Sequence, residues 1–155
     1  MPNTIYIDYD DADAVAAINR AVAACRDPQR VLGNIGEALV SSTKGRFASE
    51  TDPTGVPWAA LSPRYMKAKA RKYPGQPILR RENKLYESIV AQVQDDTLLV
   101  GTNATSRDYP YPLAMQFGAP ARNVPPRPFL GVSADDEQTI ARITLNYIRA
   151  AIDGE

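Results

Sequence analysis

The sequence lacks histidine entirely and has one cysteine, Cys25, in 155 residues. Without histidine the chain has neither the commonest general base nor the commonest transition-metal ligand, and one cysteine cannot form an intramolecular disulfide. A catalytic site would have to use carboxylates, lysine, tyrosine, serine or threonine. No acidic pair has a sequence context that supports such a hydrolase, so we expect no enzyme activity, no metal site and no cofactor.

Long apolar runs and an excess of one charge are also missing. No run reaches the ~18 apolar residues that a membrane span needs, and the first residues are neither basic nor followed by the apolar segment of a signal peptide. We therefore expect no membrane partner and a protein that is made and kept in a cytoplasm. Basic and acidic residues number 18 each, so overall charge favours no particular partner.

At 155 residues the chain is long enough for a single domain with its own core, and its hydrophobic pattern indicates helices and a β-hairpin within that domain. Its predicted parts are an N-terminal extension (1–10), two helices (11–47), a loop with a basic short helix (48–85), a β-hairpin with a loop and short helix (86–118), a proline-rich arm (119–133) and a C-terminal helix (134–152). Helical spacing of apolar residues indicates the helices. Alternation on either side of Asp95-Asp96 indicates the hairpin, with strands over 86–94 and 97–102.

Local signals refine this outline. Ser133 is a favourable N-cap for the last helix, with Asp136 in the position of a capping-box partner. Cys25 falls on the apolar face of the first helix and is predicted to be a small core residue. In the second helix Gly33, Gly36 and Gly45 indicate either close packing or a frayed end.

The apolar face of the last helix is unusually wide. At about 100° per residue its apolar side chains cover an arc of roughly 200°, whereas a helix on a single core needs nearer half of that. Either this helix is sandwiched inside the domain, or one edge of it, with Tyr147 and Ile148, meets another subunit.

A basic stretch occupies residues 64–84, where Glu82 is the one acid. Its basic residues are Arg64, Lys67, Lys69, Arg71, Lys72, Arg80, Arg81 and Lys84. Clustered lysine and arginine are the electrostatic footprint of nucleic-acid binding. Because the chain is neutral overall and has no recognised DNA-reading motif, a solvated face or an acidic protein partner is favoured over direct DNA binding.

Two other features have ordinary explanations. The acids Asp8, Asp10, Asp11 and Asp13 match no EF-hand spacing, so complementation of a helix dipole is favoured over a metal site. Trp58, the single tryptophan, follows a proline-glycine turn and is favoured as a core anchor over a binding aromatic.

The proline-rich arm contains the run Val-Pro-Pro-Arg-Pro-Phe-Leu-Gly at residues 124–131. Its prolines hold the backbone near polyproline II and fix the directions of Arg127 and Phe129 at low entropic cost. Pre-organised arginine and aromatic side chains are typical of interfaces. The arm is therefore either an interface strut or a rigid structural crossover.

The order of several spaced motifs resembles the phage virion morphogenesis, or tail completion, family, in particular its Mu-type and P2-type members. The motifs are Phe47 with Glu50, the turn 52–58 ending at Trp58, Leu61-Ser62-Pro63, the segment 78–89, Val100-Gly101-Thr102, Gln116-Phe117-Gly118 and 126–131. They extend from about the second helix to the last. Two positions depart from the pattern: Glu82-Asn83 replaces Thr-Gly, where Asn can keep a left-handed turn, and Met115 replaces a frequent histidine.

The resemblance implies a non-enzymatic structural protein that completes the tail end or joins tail to head. It implies an α+β fold, in which long N- and C-terminal helices flank an antiparallel sheet, and a ring, commonly sixfold, around the DNA channel. The implied location is the tail end or neck of the virion, after assembly in the cytoplasm of the bacterial host. The implied partners are further copies of the chain, other neck, tail-tube or tail-sheath proteins and, without sequence specificity, packaged DNA.

Three sets of residues carry these expectations. The expected interface comprises Pro126, Arg127, Pro128, Phe129, Leu130, Tyr147 and Ile148. The residues expected to meet the DNA channel or an acidic partner are Arg64, Lys67, Lys69, Arg71, Lys72, Arg80 and Arg81. The expected fold-determining motif comprises Trp58, Gly101, Gln116, Phe117 and Gly118.

Overall fold

A computed structural model describes residues 11–106 and 110–154. The helices and strands are α1 (Ala12–Arg26), α2 (Gln29–Ser49), α3 (Pro63–Lys72), α4 (Lys84–Glu87), β1 (Ile89–Gln94), β2 (Thr97–Thr102), α5 (Tyr111–Phe117) and α6 (Ala134–Asp153). A 3₁₀ turn, Pro120–Arg122, follows α5. The predicted extension 1–10, with Asp8 and Asp10, lies outside the described residues. The α+β class is confirmed.

The predicted start of α6 is confirmed in atomic detail. The Ser133 hydroxyl accepts from the Asp136 amide at 3.1 Å, and the Asp136 carboxylate accepts from the Ser133 amide at 2.8 Å, which completes a capping box. The helix ends at Asp153 and is followed by Gly154, whose φ of 81° is a conformation that suits glycine.

The hairpin pairs β1 with β2 in antiparallel register, from Ile89 opposite Thr102 to Gln94 opposite Thr97. The prediction that the first strand begins at residue 86 is wrong, because the chain forms the helical turn α4 before β1. Asn83 precedes this turn with a φ of 58°, so the left-handed conformation expected at this position is present. In the described ranges the sheet has two strands.

The elements stack in the order hairpin, α2, α6, α1. At one point α2 comes close to the hairpin: a Cβ built on Gly36 would lie 2.8 Å from the Cβ of Ala91. Gly36 therefore marks close packing. On its other side α2 contacts α6, and α6 in turn contacts α1. The wide apolar face of α6 is thus explained in large part by two helical neighbours within the subunit.

The core lies where α2, the hairpin and the arm meet. It contains Phe47, Trp58, Leu85, Ile89 and Phe129. The Phe47 ring meets Trp58 edge-on at 5.6 Å between ring centroids, an arrangement that aromatic pairs favour. The Trp58 indole donates to the carbonyl of Pro128 at 2.7 Å, so Trp58 anchors the core, as predicted.

The first helix lies at the edge of this stack. No residue of α1 is buried, and Cys25 is exposed, so the prediction that Cys25 is a core residue is wrong. The reason is that α6 is the one described element against which α1 packs substantially, and the side chains that point away from α6 remain in solvent. None of the helices in the described ranges has the length and apolar content that crossing a bilayer would require.

Candidate interaction surfaces

Arg127 lies inside the subunit. It is 6% exposed, and its guanidinium donates to the carbonyls of Ala59 at 2.7 Å and Ala60 at 3.0 Å. Its amide donates to the carbonyl of Met115 at 2.6 Å. Burial lowers the pKa of Arg127 below its ordinary value, but an arginine stays charged. These contacts fasten the arm to the loop after Trp58.

Phe129 is also internal, with 0% of its surface exposed. The side chain of Gln116 holds this part of the arm: its carbonyl oxygen accepts from the amides of Phe129 and Leu130, each at 3.0 Å. Its amide nitrogen donates to the Leu130 carbonyl at 2.9 Å. The prediction that the arm directs Arg127 and Phe129 towards another part of an assembly is therefore wrong for the folded subunit.

Gly118 allows the arm to approach α5. Its φ is 81°, and an added Cβ would lie 3.1 Å from both the carbonyl oxygen of Val124 and the ring of Pro126. A side chain at this position would separate the end of α5 from the arm. Gln116 and Gly118 therefore fix the arm from both sides of Phe117.

Phe117 itself points away from the core. Its side chain is 73% exposed, and Leu113, one turn earlier in α5, is also exposed. We call Phe117 and Leu113 the α5 apolar patch. At Gly101, another residue of the expected fold motif, no described atom beyond the two chain neighbours lies within 4 Å of the position that a Cβ would take. The packing of the described residues accounts for neither Phe117 nor the glycine at 101.

A buried ion pair joins three parts of the chain, and the sequence patterns did not reveal it. Arg46 of α2 bonds to the Asp136 carboxylate, with both side chains about 7% exposed. The same guanidinium donates to the carbonyls of Phe129 at 3.1 Å and Gly131 at 2.9 Å. The one available signal was Asp136 in the capping box, which indicated a local role and not a distant partner.

The environment of Asp136 favours its charged form. Burial raises the pKa of this carboxyl, but hydrogen bonds from Ser42 and Ser133 and the charge of Arg46 outweigh burial, so the pKa lies below its ordinary value. The arm, α2 and α6 are thus held together by a carboxylate that is ionised at neutral pH.

The basic stretch is divided by the fold. Arg64, Lys67 and Arg71 share one exposed face of α3 at spacings of three and four residues, and no described acid pairs with them. We call these three residues the α3 basic face. Lys69 points inward and donates to the carbonyls of Gln76, at 2.8 Å, and Pro77, so the expectation that it meets DNA or an acidic partner is wrong. Burial lowers the pKa of Lys69, although the charge of Glu50 opposes this.

Among the remaining basic residues, Lys72 is exposed, with its ammonium 5.4 Å from the ring centroid of Tyr73, and the others have partners within the subunit. The Arg80 guanidinium lies 4.3 Å from the ring centroid of Tyr86 and donates to the Asn83 side chain at 3.0 Å. Arg81 and Lys84 both pair with the exposed Glu82, at 3.2 Å and 3.1 Å. Hydrogen bonds from Tyr73 and Lys84, with the charges of Lys84 and Arg81, lower the pKa of Glu82 to about 2. This part of the stretch is therefore less available to an anionic partner than the α3 basic face.

Two open grooves complete the surface. One, of about 700 Å³, lies between α2 and β1 beside Val40, Tyr86 and Val90. The other, of about 590 Å³, follows α1 and reaches Ile152 of α6. No group of three or more cysteine, aspartate or glutamate side chains in the described ranges is placed to hold a metal ion. Basic, aromatic and aliphatic surfaces of this kind are suited to binding.

Comparison with known proteins agrees with the motif order. The sequence profile of the phage virion morphogenesis family matches residues 10–149. No curated protein and no solved structure matches the chain.

Proposed function

Because the chain belongs to the phage virion morphogenesis family, we propose that it is a structural protein of the tail end or neck of a tailed phage or prophage. It acts by binding and not by catalysis. Copies assemble into a ring, which we take to be hexameric, around the DNA channel, and the ring contacts other neck, tail-tube or tail-sheath proteins. The family match over residues 10–149 is the observation that carries this proposal.

The α5 apolar patch supports a role in assembly. Phe117 is 73% exposed, yet its neighbours Gln116 and Gly118 are both fixed against the arm. An exposed aromatic side chain on a rigid support loses little entropy when a partner covers it, which is the property of an interface anchor. We place Phe117 and Leu113 at the centre of a contact with a neighbouring copy or virion protein.

Part of the interface expected from the sequence remains in the proposal. Its exposed or partly exposed members are Pro126, Pro128, Leu130, Tyr147 and Ile148. The Tyr147 hydroxyl donates to the carbonyl of Asp27 at 3.0 Å, so this residue also ties α6 to the end of α1. Arg127 and Phe129 are excluded because they are buried within the subunit.

The test combines assembly with particle yield. In a phage that encodes this chain, Phe117→Ala should lower the yield of infectious particles, while the purified variant keeps its helical circular dichroism. Val56→Ala is the matched control, since Val56 is 58% exposed in the turn before Trp58 and belongs to no proposed contact. Negative-stain images of the protein with its neighbouring virion proteins should show rings for wild type and Val56→Ala. Absence of the chain from purified virions would overturn the proposal.

A second candidate function, contact with DNA, is favoured by the α3 basic face. Three exposed cations that lack a described acidic partner can neutralise phosphates. Replacing Arg64, Lys67 and Arg71 with glutamine should weaken binding to duplex DNA and reduce the slope of its salt dependence by about 0.9 for each phosphate that is no longer neutralised. Arg142→Gln with Arg149→Gln, on the exposed side of α6, is the control. Equal DNA affinity in both variants and wild type would exclude this function for α3.

A further inference from the structure

The first helix has an uncovered apolar face. Val15, Ile18 and Val22 are 47%, 62% and 44% exposed, and Cys25 is exposed as well. The four residues follow one another at spacings of three, four and three, which places them in a single stripe along the helix. We call them the α1 seam. Their spacing is that of the a and d positions of a coiled coil, in which a second helix covers the stripe.

The surface beside the seam can admit another helix. The groove of about 590 Å³ along α1 is lined in part by Ala14, Ala17 and Ala21. Alanine side chains let the backbone of a neighbouring helix approach closely. Large aliphatic side chains left in water along such a groove mark a contact surface.

The charges at the two ends of the seam identify its partner. Asp11 precedes α1 and Arg26 is its last residue; both are exposed, and the Asp11 side chain makes no capping hydrogen bond. On the side of the seam, acid at one end and base at the other complement a second copy of the same helix only when the two copies run antiparallel. The exposed acids Asp13 and Asp27 fall about 160° around the helix from the seam and do not enter this contact. A parallel pair would place like charges together at both ends, which is destabilising.

Arg20 does not disturb this arrangement, because it is already engaged. Its guanidinium donates to the carbonyl of Ile152 at 2.6 Å, at the C-terminal end of α6. This bond holds α1 on α6 and leaves the side of α1 that carries the seam free.

We propose that two copies of the chain associate through antiparallel pairing of their α1 seams. In this register Val15 faces Cys25 of the second copy and Ile18 faces Val22 of the second copy, while Asp11 approaches Arg26 of the second copy. The contact is the same on both sides, so it closes as a dimer and does not generate a ring. It is therefore separate from the α5 apolar patch, and neither contact requires the other.

Cys25 gives a direct test of the register. In the antiparallel pair the midpoint of the contact is at residue 20 of each copy. The two native Cys25 residues lie on opposite sides of this midpoint, five residues from it, and are therefore about 15 Å apart along the helix axes. The wild type should not form a disulfide under mild oxidation. Val15→Cys should form disulfide-linked dimers with Cys25 of the second copy. Positions 15 and 25 of one helix are also about 15 Å apart, so this bond cannot be intramolecular.

Ala16→Cys is the matched control, because residue 16 is exposed but lies about 100° around the helix from residue 15. On a non-reducing gel, Val15→Cys should be mostly dimeric, while wild type and Ala16→Cys stay monomeric. Dimers of wild type, which require two Cys25 residues to meet, would overturn the antiparallel register. Equal cross-linking of Val15→Cys and Ala16→Cys would contradict the proposal that the α1 seam is the contact surface.

Exchanging the charges of Asp11 and Arg26 tests, independently of cross-linking, whether the partner is a second copy of the chain. Asp11→Arg and Arg26→Asp should each raise the dimer dissociation constant about fivefold in sedimentation equilibrium, and the double variant should return to the wild-type value. A double variant as weak as the single ones would contradict the pairing. Phe117→Ala should leave this dimer unchanged, so failure here and failure of the proposed ring can be told apart.

Discussion

At the scale of single residues, two phenylalanines in neighbouring segments have opposite environments. Phe129 is fully buried in the core, whereas Phe117 is 73% exposed. Only Phe129 contributes to the stability of the isolated subunit through packing. Stability measurements on matched substitutions can therefore separate the structural residue from the interface candidate.

Phe129→Ala should lower the free energy of unfolding by about 3–5 kcal/mol, because it leaves a cavity in the core. Phe117→Ala should change it by no more than about 0.5 kcal/mol. Urea unfolding followed by Trp58 fluorescence measures both values. Equal effects of the two substitutions would mean that the arm is not packed in solution as described.

Asp136 makes stability depend on pH in a definite direction. Its pKa in the folded chain lies below its ordinary value. Its stabilising contribution is therefore present above about pH 4, where the carboxyl is ionised in the unfolded chain, and is lost as pH falls through the lower folded value. At neutral pH, Asp136→Asn should lower the free energy of unfolding by about 3–5 kcal/mol, because it leaves Arg46 buried without its counter-charge. Below about pH 4 the difference in this free energy between the variant and wild type should shrink.

The control for this pH profile is Asp135→Asn, an exposed neighbour in the first turn of α6. It should change stability by less than about 1 kcal/mol, since it alters only the interaction with the helix dipole. A constant difference between Asp136→Asn and wild type from neutral to acidic pH would contradict the assignment to the ion pair.

Local sequence predicted some of these residues and not others. The Ser133 capping box and the core position of Trp58 depend on neighbouring residues or on size and apolarity, which a sequence displays. The prolines fixed the backbone of the arm but could not indicate which of its sides meets the core. That is decided by Gln116 and Arg46, which are distant in sequence from Phe129.

At the scale of elements, the contact between α2 and the hairpin depends on one glycine. An added Cβ at Gly36 would meet Ala91 at 2.8 Å and Leu98 at 3.0 Å, while one at Gly33 would meet no described atom outside the adjoining backbone of its own helix within 4 Å. The two glycines thus belong to the same helix but differ in what surrounds them.

Gly36→Ala should destabilise the protein by about 1–3 kcal/mol, because the methyl group forces α2 and the hairpin apart. Gly33→Ala should stabilise it by up to about 1 kcal/mol through helix propensity. Thermal unfolding of both variants measures the contrast. Stabilisation by both substitutions would show that α2 and β1 are farther apart than 2.8 Å implies.

The helices were predictable and the start of the first strand was not. Caps and periodic apolar residues placed the outer ends of the two-helix region (11–47) and both ends of the C-terminal helix (134–152) within about two residues of those observed, the usual precision of such boundaries. Residues 86–88 also fit an alternating pattern. The left-handed conformation of Asn83 instead turns the chain into α4, and alternation alone does not reveal that turn.

At the scale of the whole molecule, several apolar surfaces lie outside the core. They include the α1 seam and the α5 apolar patch. Surfaces of this kind are covered when copies associate, and association stabilises the folded state by mass action. The melting temperature of the free chain should therefore rise with protein concentration.

Over a roughly hundredfold concentration range the melting temperature of wild type should increase by a few degrees. Val15→Asp, which places a charge in the seam, should remove most of that increase without lowering the value measured at the lowest concentration. Differential scanning fluorimetry is sufficient for this comparison. A melting temperature independent of concentration in wild type would exclude self-association in that range.

The spaced motifs in the sequence predicted the family, but they could not predict which surfaces of the chain contact other copies. Gln116, Gly118 and Trp58 act within one subunit, so their roles can be seen in its structure. The proposed ring would depend on the match between surfaces of different copies, which the structure of one chain does not show.

The buried ion pair of Arg46 and Asp136 also sets the order in which the chain can fold during its synthesis. Arg46 bonds to the Phe129 carbonyl, 83 residues away, and to the Asp136 side chain, 90 residues away. While the ribosome adds roughly the first hundred residues, α2 has therefore not yet received the partners of its buried cation. The core can close only when the last part of the chain has emerged, so a ribosome that stops before Asp136 releases a chain without its central ion pair.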